Sequence, residues 1–239
     1  IHWLGKALPN WSQPCPITLE VGENIGAGGA TSFLFERGEV YGWRMEIQGS
    51  EERILDSVLP HEVTHTIFAS HFRQPLPRWA DEGACTTVEH ASERLKQQKM
   101  LVRFLQTGRG IPFSTMYQMK EYPQDIMPLY SQGYSLARYL IAQGGPRKFM
   151  TYVGDGLDSG NWTAVTERHY GQANLAQLQE TWLEWVRQGS PNIEPTAIAA
   201  ASTPGAVNVA ANGAAAPQAA GSEVVIRGQN QGRLAELLS

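Results

Sequence analysis

The stretch from Glu51 to Phe72 constrains this chain more than any other. Ile54, Leu55, Val58, Leu59, Val63, Ile67 and Phe68 recur at three- and four-residue steps. That spacing predicts one helix with a broad apolar stripe. Pro60 lies inside it and predicts a kink, or a restart just before His61, because proline lacks the N–H that the helical ladder needs. A helix this apolar belongs inside a domain, yet it carries His61, Glu62 and His65. Ionisable groups are buried only with partners, so the helix must deliver these three side chains to something that satisfies them.

Their order, His61-Glu62-Val63-Thr64-His65, indicates what that is. Residues four apart on a helix lie one above the other, so both imidazoles can face a single cation. Glu62 is rotated by roughly 100° from His61 and stands beside that cation, able to take a proton from bound water. The plain alternative is a core helix that happens to hold two histidines. A structural zinc site closes with four protein ligands, whereas a catalytic one uses three and keeps a place for water.

The segment Pro77-Arg78-Trp79-Ala80-Asp81-Glu82-Gly83-Ala84-Cys85 follows a proline-bounded loop. It predicts a second helix reaching about His90. Asp81 near its start reads as compensation of the helix dipole. Further on, Pro128 to Ile141 predicts another helix, carrying Tyr130, Gly133 and Tyr134 and stopped by Gly144-Gly145-Pro146.

Taken in order, H-E-x-x-H, W-x-x-E-G and Y-x-Q-G resemble the motifs of the gluzincin metallopeptidases. These include aminopeptidase-N-like and leukotriene-hydrolase-like enzymes and bacterial exported peptidase-like domains. The resemblance spans about Val40 to Gln188 and is specific at three short motifs. It implies a zincin-like domain with a zinc ion held by His61, His65 and Glu82. It also implies Glu62 as catalytic base and Tyr130 as a donor to the oxyanion of the tetrahedral intermediate, while Tyr134 reads as core. A second zincin branch, H-E-x-x-H-x-x-G-x-x-H, would make His71 the third ligand. Phe68 stands at that branch's glycine position, so Glu82 is preferred and His71 reads as a helix-end residue.

The same relatives carry a G-x-M-E-N strand that reads the substrate's free amine. Gly42-Trp43-Arg44-Met45-Glu46 departs from it by one extra residue and by Ile47 in place of Asn. By resemblance, Val40 to Gln48 is also expected to be the sheet edge above the metal helix, pairing with extended substrate.

Pro16–Val21, Phe33–Glu36 and Val40–Gln48 predict a small N-terminal β-sheet, with Gly26 to Ser32 as a flexible turn. The remaining helices are expected at Glu93–Gln106, Arg147–Val153, Thr163–Tyr170 and Leu175–Gln188. Strands first and helices after predict an α+β fold, with a mostly helical C-terminal part. For 239 residues, one domain over 1–189 is expected. From Pro195 to Ser222 there is no charged residue, and Ala, Pro and Gly dominate. Residues 190–222 therefore read as a linker in a low-complexity tail. Residues 223–239 read as a docking segment, strand-like at Glu223–Arg227 and amphipathic at Gly232–Leu238.

A net charge of −4 with scattered basic residues argues against a nucleic-acid surface. No apolar run approaches the ~18 residues of a membrane span. Cys15 and Cys85 are expected to pair, tying the N-terminal segment to the Glu82 helix; the alternatives are that Cys85 is a small buried residue, or a thiol one turn from a metal ligand. The chain opens on Ile1 rather than Met, and with that disulfide the expectation is an extracytoplasmic location: periplasmic, cell-surface or secreted. The expected partner is a peptide or protein substrate, with a protein partner, a second copy or a wrap around its own domain for residues 190–239. The alternative function is a structural or assembly subunit built on the same domain, its tail docking onto a larger complex.

Overall fold

The computed structural model describes residues 1–8, 11, 13–119, 121–193 and the backbone of 223–228. Three strands open the chain: β1 (Ile17–Val21), β2 (Gly28–Glu36) and β3 (Glu39–Gly49). Helices follow: α1 (Glu51–Arg53), α2 (Leu59–Phe72), α3 (Arg78–Thr86), α4 (Ala91–Gln106), α5 (Phe113–Met116), α6 (Met127–Ala142), α7 (Gly145–Ser159), α8 (Trp162–Tyr170) and α9 (Leu175–Arg187). A last strand, β4 (Glu223–Gly228), returns to the sheet. The fold is α+β.

The strands lie in the order β1-β3-β2-β4. β3 pairs in parallel with β1 and antiparallel with β2. It is therefore an inner strand, and the expectation of Val40–Gln48 as the edge is corrected. Its side chains alternate, as a strand requires: Trp43, Met45 and Ile47 are buried, and Glu46 falls on the opposite face. Met45 and Ile47 pack on Ile54 and Val58, while Trp43 joins Phe33, Phe35 and Ala69. The helix side of the sheet is thus the Met45 side. Glu46 is directed away from it, which removes the G-x-M-E-N comparison as an amine-reading element.

β2 begins at Gly28, inside the segment expected to be a flexible turn. Gly29, Thr31, Phe33 and Phe35 alternate onto the face that meets α2 and are all buried. Bulk falls along the strand, with two aromatic rings at one end and a glycine and a threonine at the other. The small end lies over the histidine motif.

Pro60 does interrupt the helix, but not as a kink at His61. Between α1 and α2, Ile54–Val58 form a π turn, closed by the Leu59 N–H bonding five residues back to the Ile54 carbonyl. Pro60 then sits in the first turn of α2, where a missing N–H costs little. Leu55 and Val63, counted in the apolar stripe, face outward.

The main core lies among the helices, where Phe68, Trp79, Phe113, Leu129, Leu136, Phe149, Tyr152 and Trp182 are buried together. Burying a side chain of this size stabilises by about 1.5–3 kcal/mol. Two motif glycines set the closest packing. A Cβ on Gly83 would lie 2.2 Å from the Gly133 carbonyl oxygen, and one on Gly133 would lie 2.8 Å from that of Trp79. α3 and α6 therefore meet backbone to backbone.

α3 stops at Thr86 instead of reaching His90, which caps α4 by accepting the Ser92 N–H. α7 runs well past Val153 because Gly156 does not break it: the Trp162 ring fills the space where a Cβ would stand. β4 pairs antiparallel with β2, from Phe35 opposite Glu223 to Ala30 opposite Gly228. The expected linker beyond Ile193 and the amphipathic stretch Gly232–Leu238 lie outside the described residues. Among the described residues no helix is long and apolar enough to cross a membrane.

Candidate metal centre

α2 lies between the sheet and α3, and presents His61, Glu62 and His65 into that seam. All three are at most 1% exposed. The two imidazoles stand 4.9 Å apart between ring centroids at 70°, one turn above each other. Glu82 enters from α3. Its Oε2 is 3.4 Å from His61 Nε2 and 3.6 Å from His65 Nε2. Neither Glu82 Oε2 nor His65 Nε2 has a hydrogen-bond partner among the described residues, an arrangement that buried polar atoms rarely tolerate.

The opposite ring nitrogens are engaged. His61 Nδ1 lies 2.7 Å from Glu89 Oε1, and His65 Nδ1 lies 2.8 Å from Asp81 Oδ1. Carboxylates on the two Nδ1 atoms fix each ring and turn each Nε2 toward Glu82. Asp81, read as dipole compensation, is an orienting partner instead.

The electrostatics follow from this packing. Burial alone would lower the His61 pKa, but contact with Glu82 and the bond to Glu89 hold it well above the usual range. Burial is likewise overcome at His65 by the charges of Asp81 and Glu82. Glu82 is held far below the carboxylate range, burial being outweighed by the His65 charge and by contacts with both histidines. Carboxylates gathered around two imidazoles make a pocket that favours a cation.

His61, His65 and Cys85 also form a buried group whose ligand atoms lie within 4.8 Å of one another, so the centre can hold a metal ion. Glu82 and Cys85 differ in where they approach. Cys85 Sγ is 3.4 Å from His65 Nδ1, the nitrogen already facing Asp81. Burial and the surrounding carboxylates hold its thiol well above its usual range against the opposing His61 charge. Glu82 faces the Nε2 side. Four-coordinate zinc with bonds of about 2.0–2.1 Å sets neighbouring ligand atoms roughly 3.3–3.4 Å apart, close to the spacings from Glu82 to the two rings. The residues present fit such an ion.

Glu62 stands beside this group. Thr31 Oγ1 on β2 donates to Glu62 Oε2 at 2.6 Å, while Oε1 has no hydrogen-bond partner among the described residues. Burial raises the Glu62 pKa, against the histidine charges and the Thr31 bond. Gly29 explains how β2 comes so close: a Cβ there would lie 2.7 Å from Glu62 Cγ and from its Oε1.

Tyr130 is buried and reaches the centre through Tyr122. The two rings stack in parallel, 6.5 Å apart, and the Tyr122 hydroxyl donates to Glu82 Oε1. Arg78 lies 4.3 Å over the other residue of that pair, the Tyr122 ring. Burial, reinforced by the Glu82 charge, pushes the Tyr130 phenol well above its ordinary value, so it stays a neutral donor. Tyr134 is core, as expected.

His71 is exposed in the last turn of α2 and meets the Phe72 ring edge-on. It lies about 9 Å along the helix from His65 and takes no part in the centre. Cys15 and Cys85 are both free thiols. The expected disulfide is corrected, and it leaves the reasons for an extracytoplasmic location.

Sequence reasoning missed Gly29, Thr31, Glu89 and Tyr122. Gly29 and Thr31 sat in a glycine-rich run whose composition signals a turn. Glu89 follows α3 in a turn with no periodicity, and Tyr122 stands in the segment before α6. Comparison with family models, curated proteins and solved structures gives no match for this chain.

Proposed function

We propose that this chain is a zinc-dependent peptidase of gluzincin type, acting on a peptide or protein substrate. One observation carries the reading. Glu82 Oε2 meets His61 Nε2 and His65 Nε2 at 3.4 and 3.6 Å, and Glu62 stands alongside with one carboxylate oxygen lacking a hydrogen-bond partner among the described residues. A purely structural site has no use for that fourth residue.

His61, His65 and Glu82 would hold the ion, and Glu89 and Asp81 keep the two imidazoles oriented. A zinc ion so bound supplies Lewis acidity, acidifying a water and polarising a carbonyl. Glu62 would take the water's proton on Oε1 and pass it to the leaving amine. Thr31 anchors Oε2 during that exchange. Tyr130 would donate to the substrate's carbonyl oxygen as it takes on charge, a contribution typically worth about 10²–10³ in rate. Tyr122 holds the Glu82 carboxylate on its Oε1 side.

The assembly reading takes the tail as a device for docking onto a larger complex. β4 is seated on β2 of its own chain, which supports a role for that segment within the molecule.

Replacement of Glu62 by Gln tests the mechanism. The Glu62→Gln protein is expected to keep one zinc per chain by elemental analysis and to lose hydrolysis of a peptide library by about 10²–10⁴-fold. Hydrolysis at the unaltered rate contradicts the reading.

A further inference from the structure

The metal centre is closed from every side. With β4 in place, His61, Glu62, His65, Glu82 and Tyr130 are each no more than 4% exposed. A peptide bond to be brought to Glu62 needs a surface to lie on. β2 is the strand that touches Glu62, through Thr31 and through the close approach of Gly29. The outer edge of β2, on the side away from β3, is a row of backbone donors and acceptors that requires an extended partner.

That partner comes from far along the chain. β4 lies antiparallel on this edge and also touches α2. Its last two residues, Arg227 and Gly228, stand opposite Thr31 and Ala30, the part of β2 beside Glu62. The intervening sequence from Pro195 to Ser222 has no charged residue and is rich in Ala, Gly and Pro, the composition of a tether rather than of a core element. Backbone pairing of this kind accepts many sequences, since affinity comes from main-chain bonds and selectivity from alternate side chains.

We propose that Glu223–Gly228 is a resident occupant of the outer edge of β2, one that an extended peptide must displace before it can lie on that edge. The inference rests on the peptidase reading for the identity of the incoming strand as substrate. A tethered segment acts at an effective concentration on the order of millimolar. Weak free peptides are therefore held off until the tail leaves, and the tail sets the threshold for access to the centre.

The test uses the full chain with Val225→Pro and Ile226→Pro together. Successive N–H groups of a strand point to opposite edges, so prolines at both positions remove one bond to β2 in either phase. The probe is a fluorescein-labelled peptide, Glu-Val-Val-Ile-Arg-Gly, followed by polarisation, with hydrogen exchange of the amides of residues 30–35 as a second readout. The double variant is expected to bind the probe at least tenfold more tightly than the unaltered chain, on the scale of that effective concentration. It should also lose exchange protection on β2 and regain it when the probe is added. Equal probe affinity in the two proteins, or β2 protection indifferent to the prolines and the probe, overturns the inference. Neither readout needs catalysis. Tighter binding and restored protection without hydrolysis in any zinc-loaded form would therefore uphold the docking edge while the peptidase reading fails.

Discussion

The helical and sheet halves of this molecule furnish the candidate centre in opposite ways. The helices supply side chains that reach inward from short contiguous motifs: His61, Glu62 and His65 on α2, Asp81 and Glu82 on α3, Tyr130 on α6. The sheet supplies proximity. Gly29 lets a backbone lie against Glu62, Thr31 fixes one of its oxygens, and the edge beyond is filled by a strand from the other end of the chain. Helical placement is a matter of local periodicity, whereas sheet placement depends on which distant segments pair. The metal-holding function should therefore fail when helix-to-helix spacing is disturbed, and proton transfer should fail when the sheet contact is disturbed.

The sharpest way to break that division is to push α3 from α6. In Gly83→Ala the new Cβ meets the Gly133 carbonyl, a backbone group that cannot rotate aside. The expected cost is about 3 kcal/mol in denaturant unfolding of the metal-free protein, with zinc content falling because Glu82 moves with its helix. Unchanged stability and zinc content would mean that the two glycines do not set the geometry.

A smaller effect is expected one layer out. Asp81→Asn and Glu89→Gln each weaken the orientation of one imidazole, at His65 and His61 respectively. Each should lower zinc affinity by about 10–100-fold in a competitive chelator titration and leave the fold intact. Affinity equal to that of the unaltered chain would remove these carboxylates from the centre.

The smallest effect belongs to the sheet. Thr31→Val deletes the bond to Glu62 Oε2 and should leave zinc content unchanged. That bond favours the charged carboxylate and lowers the Glu62 pKa against the effect of burial. Its loss therefore raises the pKa, and the acid limb of the kcat/KM profile moves to higher pH. Hydrolysis near neutrality falls roughly tenfold, the scale of a hydrogen bond to a charged group. An acid limb that moves to lower pH, or stays in place, would detach Thr31 from proton transfer.

The same division decides what could be read from the sequence. The α+β pattern and the helix bearing His61 and His65 follow from residue spacing, while Glu82 as their companion is what the motif resemblance implies. The orienting role of Asp81 does not, because an acidic residue at a helix start has a sufficient reason in the dipole alone. Gly28 to Ser32 looks like a turn since glycine usually serves one. Here close approach, not bending, explains Gly29, and only the neighbouring Glu62 reveals it. Val40–Gln48 alternates as a strand should, but alternation cannot say whether a strand is an inner or an edge one. That depended on β1, which pairs in parallel with β3 on the side away from β2. Cys15 and Cys85 show the complementary failure: two cysteines permit a disulfide, and only the fold shows that both remain free thiols, with Cys85 set against His65.

The central claim is that Glu82, with His61 and His65, completes a zinc site. X-ray absorption at the zinc edge of the full chain, loaded with one equivalent of zinc, tests it most directly. The account predicts a first shell of nitrogen and oxygen alone at about 2.0–2.1 Å, with the outer scattering of two imidazoles. A sulfur scatterer at about 2.3 Å would put Cys85 in place of Glu82 and contradict it, as would a shell without imidazole.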